Sequence, residues 1–287
     1  MIALNKTQNT EHYNIAAGVV LFNPVPNEVY TLINSIKDQV DHIFLVDNTP
    51  EKDLTKQFED LRKATYLPNK KNYGIAKALN QLMEQAEKTG YDWLLTLDQD
   101  SVFPENGIDH FEKIITNTKE LAIICPVFED RGTGNLLGQE GFVDCCITSG
   151  ALTSIKAWRE AGKFDEWFFI DLVDFELCAR LRQKGYKIYQ TSSVVLSHQI
   201  GNPKTVKRFG RTISSSNHSA MRYYYQSRNY LVYKHLYGLE TTNPSPKVLL
   251  IKTLAVDDNK LSKIFSIFKG ILDGKKEIKK RTSVNAK

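Results

Sequence analysis

The sequence predicts an α/β protein: a mostly parallel central sheet flanked by helices, followed by a C-terminal helical extension. Three observations predict it. Apolar runs of strand length alternate with stretches of helical spacing between Ile15 and Cys125, as βαβ units require. Those runs are apolar throughout, as in strands covered on both faces. Beyond Lys260, an apolar stripe at helical spacing runs among lysines.

Each element follows in order. Ile15 to Phe22 (IAAGVVLF) is the first strand, punctuated by Asn23-Pro24 and Pro26. Val29, Leu32, Ile33 and Ile36 then take helical spacing. His42 to Val46 is a second strand, ended by Asp47-Asn48-Thr49-Pro50, and Thr65 to Leu67 a short third. Ile75 to Glu87 reads as a helix, with Gly90 just past its end. Tyr91 to Leu97 is a fourth strand, Pro104 opens another helix, and Leu121 to Cys125 is a fifth strand. The pattern then changes. Gly132, Gly134, Gly138 and Gly141 suggest a mobile loop. Phe142 to Ile155 reads as strands around Ser149-Gly150, and residues 171–184 as a helix stopped by Gly185. Tyr186 to Val195 is a late strand followed by His198, and Asn217 to Tyr237 an aromatic helix.

Composition narrows the function classes. The chain has 287 residues, 41% apolar and 25% charged, enough for a full core. Its apolar runs fall far short of the roughly 18 residues that span a bilayer. No basic stretch with an apolar run behind it opens the chain, so no secretory leader is expected. The net charge is +5, but Lys260 to Lys287 holds nine basic and two acidic residues, +7, which leaves −2 for the rest. The basic character belongs to the tail, and a nucleic-acid groove is not expected. Cys125, Cys145, Cys146 and Cys178 form no C-x-x-C pair and read as reduced, buried thiols of a cytoplasmic protein.

In open parallel sheets ligands sit beyond the carboxyl ends of the strands. Asp98-Gln99-Asp100-Ser101 stands at such an end, directly after WLLTL. Two carboxylates leaving a buried strand suit a hard cation that shares phosphate oxygens; a solvated turn before Pro104 is the alternative. Asp171 and Asp174, three apart, share a face if both are helical, and Asp174 is a candidate general base. Glu176 can pair with Arg180 four residues on, a structural role. Asn72-Tyr73-Gly74 offers amides and a close backbone approach, but no G-K-[ST] follows, so it is no phosphate-cradling loop. His198 follows a strand and could join carboxylates on a metal. Arg222, Arg228 and Asn229 stand among Tyr223, Tyr224 and Tyr225, where arginine suits a diphosphate or an aromatic core helix carries solvated arginines.

Taken together, VVLFNP (19–24), VDNTP (46–50), NYGIAKALN (72–80), LTLDQDS (95–101), TSGALTS (148–154), FIDLVDFELCARLRQKGY (169–186), SHQIG (197–201) and YYQSRNY (224–230) resemble glycosyltransferase family 2, the inverting enzymes of GT-A (Rossmann-like) fold, and most closely its bacterial rhamnosyltransferases. The resemblance covers residues 15 to 237. It implies a loose arm over 1–14 and a catalytic domain over 15–240, with a nucleotide-binding half (15–125) and an acceptor-binding half (126–240). A basic amphipathic extension occupies 241–287. It implies a donor pocket of Phe22, Asn23, Asp47, Asn72, Gly74, Asp98 and Arg228, with Arg228 neutralising the diphosphate. It implies Mg2+ or Mn2+ on Asp100 with Asp98 and His198, Asp174 as catalytic base, and Ser149, Gly150 and Asp171 facing the acceptor. Many relatives have Glu-Asp where this chain has Val173-Asp174, so any role of that neighbour falls to Asp171 or Glu176.

The expected reaction is transfer of a sugar, L-rhamnose from dTDP-rhamnose or alternatively a hexose from a UDP-linked donor. The acceptor would be a cell-surface polysaccharide or lipid-linked saccharide. Residues 260–281 could lie on an anionic membrane surface or dock on the body. A sugar-phosphate nucleotidyltransferase would need a glycine-rich basic loop where FNPVPNE stands. A non-catalytic carbohydrate-binding homologue would not need Asp98-Gln99-Asp100 and Asp174.

Overall fold

The computed structural model describes residues 13–59, 61–130, 134–198, 204–208, 211–238, 241 and 243–285. Most of the expected arm, Gly132 and the Ile200-Gly201 step lie outside the described residues.

β1 (Ile15–Leu21) leads into α1 (Pro26–Ile36), where Pro26 at the first turn presets the helical φ. β2 (His42–Asp47), the short α2 (Thr55–Phe58) and β3 (Ala64–Pro68) follow. Next come α3 (Ile75–Lys88), β4 (Trp93–Asp98), α4 (Gly107–Asn117) and β5 (Leu121–Asp130). Two-residue strands β6 (Leu136–Leu137) and β7 (Gly141–Phe142) precede β8 (Ala151–Ser154) and α5 (Ile155–Glu160). After a 3-10 turn at Glu166–Phe168 come α6 (Val173–Gln183) and β9 (Lys187–His198). A hairpin, β10 (Lys204–Arg208) with β11 (Arg211–Ser215), leads to α7 (Ala220–Tyr237), α8 (Pro246–Ala255) and α9 (Lys260–Asn285).

The main sheet runs β3-β2-β1-β4-β8-β5-β9-β7, with β6 on β5. Pairings β1–β2, β1–β4, β2–β3 and β5–β9 are parallel. β8 inserts antiparallel between β4 and β5, which the sequence had not indicated. Strand alternation divides the core into two layers. Ala16, Phe44 and Leu94 meet α3, α5 and α6 on one face. Ala17, Val19, Leu45 and Leu95 meet α1 and α4 on the other.

The register pairs Leu21 with Asp47 and Val20 with Asp98. Three strand ends therefore deliver Phe22, Asp47 and Asp98 to one edge of the sheet. The α-helix expected from residue 171 starts at Val173, because Phe169, Asp171 and Leu172 have φ of 62°, 68° and 64°. Asp171 is thus not helical, and the expected helix-face pairing with Asp174 gives way to a turn.

Candidate active site

The loops at the carboxyl edge are tied to one another. Phe22 N–H donates to Gln99 Oε1 at 2.9 Å, so the first strand's end holds the D-Q-D turn. Asn23 N–H donates to Thr49 Oγ1 at 2.7 Å. Asp47 is buried, its Oδ1 accepting from Thr49 N–H at 2.8 Å and its Oδ2 from Tyr66 OH at 2.7 Å. Asn72 Oδ1 accepts the Gly74 N–H at 2.9 Å, and Asn48 Nδ2 donates to the Gly74 carbonyl at 3.0 Å. Phe22 and Asp100 are exposed while Asp98 is half-buried, so this edge opens to solvent between fixed walls.

Gly74 joins this edge to the second half of the site. It has φ +87°, and an added Cβ would lie 2.5 Å from the Phe169 ring and 2.7 Å from its carbonyl oxygen. That carbonyl accepts from Ile75 N–H at 2.6 Å and Ala76 N–H at 3.2 Å, at the start of α3. The turn at 169–172 therefore rests on a helix N-terminus a hundred residues away in sequence, where the dipole favours an acceptor.

Asp174 stands in the first turn of α6, half-buried, its Oδ1 accepting the Phe175 N–H at 2.9 Å. It borders a cavity of about 240 Å3 that Ile147, Thr148, Leu172, Asp171, Arg222 and Asn243 also line. Burial pushes its carboxyl up to about 6, and the charges of Asp171 and Asp98 add to the rise. Asp98 and Asp174, far apart in the chain, thus feel one another's charge. Glu176 is fully buried but engaged: Arg180 meets it at 2.6 and 2.7 Å and Tyr237 OH at 2.6 Å.

Helix α7 grips the 167–171 turn from outside. Asn229 Nδ2 donates to the carbonyls of Phe168, Ile170 and Asp171 at 2.8, 2.7 and 2.9 Å. Arg228 donates to the carbonyls of Trp167 and Phe168 and to Asn229 Oδ1. Its guanidinium lies 3.8 Å from the Trp167 ring centre and 4.7 Å from that of Tyr225. Only 8% of the residue is exposed. These contacts hold the Arg228 side chain against the turn. Arg222 meets both oxygens of Asp171 at 2.9 and 2.6 Å.

Ser149 is buried with its Oγ 3.3 Å from Ser101 Oγ, and the Gly150 N–H donates to the Thr96 carbonyl at 2.7 Å. Both therefore brace the loop behind Thr148, which does line the cavity. His198 closes β9, and its side chain lies outside the described residues. Among the described residues no three His, Cys, Asp or Glu side chains form a ready-made metal cage. Asp98 and Asp100 nevertheless offer carboxylate oxygens at the open edge. Magnesium-type sites use one or two such groups and complete themselves with phosphate oxygens and water, so the donor set fits a hard divalent cation. All four cysteines are free thiols, and three are buried.

Asn229's hold on the turn, the bond between Gln99 and Phe22, and Asn243 were missed by sequence reasoning. Polar residues in an aromatic helix were the available signal for Asn229, and Gln99 stood inside the D-Q-D motif. Asn243 carried none.

The family model Glycosyl transferase family 2 matches residues 17–178. The chain is 30% identical over 235 residues to the dTDP-rhamnosyl transferase RfbF of Shigella flexneri, covering 75% of this chain and 78% of that protein. Among solved structures, S. aureus TarS 1–349 aligns over 91% of this chain and 71% of its own, with a TM-score of 0.54 and 11% identity. GalNAc-T7 with UDP, GalNAc and Mn2+ aligns over 69% of this chain, with a TM-score of 0.55 and 13% identity. This chain spans 44% of the GalNAc-T7 chain, and both likenesses concern the fold.

Proposed function

The chain belongs to glycosyltransferase family 2, and from that membership we propose that it transfers L-rhamnose from dTDP-rhamnose, with inversion, to a hydroxyl of a growing cell-surface polysaccharide or lipid-linked saccharide. The name of the S. flexneri relative supports the donor. The chemistry rests on one observation: a half-buried acid, Asp174, raised to about 6 in a cavity and coupled to Asp98 at the strand edge.

In this reading the nucleotide lies along Phe22, Asn23 and the walls set by Asp47, Asn72 and Gly74, with Asp98 near the ribose. Asp100 and Asp98, with His198, would hold Mg2+ or Mn2+, which would supply Lewis-acid stabilisation of charge on the departing diphosphate. The acceptor hydroxyl enters the Asp171–Asp174 cavity, whose rear Ser149 and Gly150 brace. Asp174 takes the hydroxyl proton as its oxygen bonds to the anomeric carbon, while the bond from that carbon to the diphosphate breaks with its electron pair. A single displacement inverts the anomeric centre. Arg228, which clamps the turn, neutralises charge on the departing diphosphate. The reaction takes place on the cytoplasmic side of the membrane that carries the acceptor.

A donor screen tests this. With Mg2+ or Mn2+, dTDP-rhamnose should be slowly hydrolysed and dTDP should raise the melting temperature more than UDP. Hydrolysis of UDP-hexoses with dTDP-rhamnose untouched would transfer the assignment to a UDP-sugar. No turnover of any donor would favour a carbohydrate-binding homologue.

A further inference from the structure

Helix α9 carries two faces of different kinds. One is Lys263, Ile267, Gly270, Gly274, Ile278 and Arg281, spaced 4, 3, 4, 4 and 3, and it faces the body. A Cβ on Gly270 would run into the Tyr224 carbonyl, and one on Gly274 would lie 2.9 Å from that of Arg228, so α9 lies backbone to backbone on α7. Lys263 Nζ donates to Asn217 Oδ1 at 2.5 Å and faces Asp257 at 3.5 Å. Arg281 meets Asp165 at 2.7 Å and Glu277 at 2.9 Å. Two small residues and two anchored cations therefore fix the rotation of this helix.

That fixed rotation turns an apolar stripe outward. Leu261, Phe265, Phe268 and Leu272 are 85%, 71%, 52% and 60% exposed. At about 100° per residue their spacing confines them to an arc of roughly 60°, opposite the glycines. Ile251 and Leu254 of the adjoining α8 are exposed as well. Down the same side of α9 the stripe passes into exposed Lys275, Lys276 and Lys279. Soluble monomers seldom present aligned aromatic and aliphatic side chains of this kind without a partner.

We propose that this face docks on an anionic phospholipid surface, with α9 lying in the interface plane. Its apolar stripe enters the headgroup boundary and its lysines meet lipid phosphates. Charge selects this occupant. Lys263 and Arg281 are tied to the body, while Lys275, Lys276 and Lys279 stand exposed beside the stripe, so the outward face is locally basic on a body that carries −2. A second copy would set these lysines against one another. No described helix is long and apolar enough to cross a membrane, so the contact is peripheral. The docking needs no assumption about the sugar or the acceptor.

Flotation of the full chain with phosphatidylcholine vesicles, with and without phosphatidylglycerol, tests it. The wild type should float with the anionic vesicles and be released by salt. The double variant Phe265→Ser/Phe268→Ser should lose tenfold or more of that binding, with its melting curve and donor hydrolysis unchanged. Lys275→Glu/Lys276→Glu/Lys279→Glu should lose the preference for phosphatidylglycerol. Failure of the wild type to float, or equal flotation of the serine variant, would overturn the proposal. So would a wild-type dimer in solution that the serine substitutions convert to monomer, since a second copy would then cover the face.

Discussion

Arg222 holds Asp171 by both carboxylate oxygens, Nε to Oδ2 at 2.9 Å and Nη2 to Oδ1 at 2.6 Å, three residues before Asp174. The pair joins α7 to the turn that opens α6, and it separates two acids that line one cavity. Asp171 is ion-paired; Asp174 is raised by burial and by the charges of its acidic neighbours. Environments that divide two carboxylates in this way assign them different roles.

Removing the pair's cation should expose that division. Arg222→Ala leaves the Asp171 charge uncompensated beside Asp174, which disfavours a second carboxylate there. The acid limb of the rate profile should move to higher pH and transfer should fall about tenfold, with Arg222→Lys recovering part of the shift. A pH–rate series on the three proteins reads it; an unmoved limb would make Arg222 merely structural.

Asp174 predicts the pH dependence itself. A base must be deprotonated, so kcat/KM should rise with pH through about 6 and level off above it. Stability runs the other way. The unfolded acid loses its proton near 4 and the folded one only near 6, so the folded state binds more protons in between and stability falls as pH rises across that window. Without donor and cation, Asp174→Asn should therefore melt higher than wild type at pH 7, by up to about 3 kcal/mol. Melting curves at pH 4 and 7 check the sign: the advantage should be large at 7 and small at 4.

The elements that carry the candidate site were legible in the sequence. The apolar run at Ile15, the strand WLLTL ahead of Asp98 and Asp100, and the helix that opens around Asp174 declare themselves by their periodicity. Residues 169–172 were not legible. Their left-handed turn is held by Ile75 and Ala76 N–H groups and by Asn229, none of which is local, so helical spacing carried the expected helix back to 171. The surroundings of Arg228 were not legible for a related reason: the Trp167 ring and the two carbonyls that set its direction, beside Tyr224 and Tyr225, are contributed by the turn. The stripe on α9 was visible as a pattern, while the face left outside depends on Gly270 and Gly274 meeting α7.

Asn229 should matter for stability and activity together. Asn229→Ala takes the side-chain donor from the Ile170 and Asp171 carbonyls, while Phe168 keeps those of Arg228 and Ile170, and buried unpaired groups each cost about 1–3 kcal/mol. A loss of about 3 kcal/mol is expected in denaturant titration. Asn229→Asp should do no better, since an ionised carboxylate has no donor to offer.

The D-Q-D turn should govern cation dependence. Wild type should melt higher when Mn2+ is added with a nucleoside diphosphate; Asp100→Ala should lose that rise, and chelation should remove it from wild type. The cation-free fold should stay intact, because Asp100 is exposed. A retained Mn2+ effect in Asp100→Ala would move the ion elsewhere.

The central claim is that Asp174 accepts the proton in the cavity it shares with Asp171, while Asp98 and Asp100 at the strand edge serve the donor. Single-turnover transfer by Asp174→Asn, measured beside donor binding by calorimetry, tests it most directly. The account predicts donor affinity within a few-fold of wild type and transfer reduced by roughly 10²–10⁴. Transfer near the wild-type rate, with donor bound equally well, would contradict it.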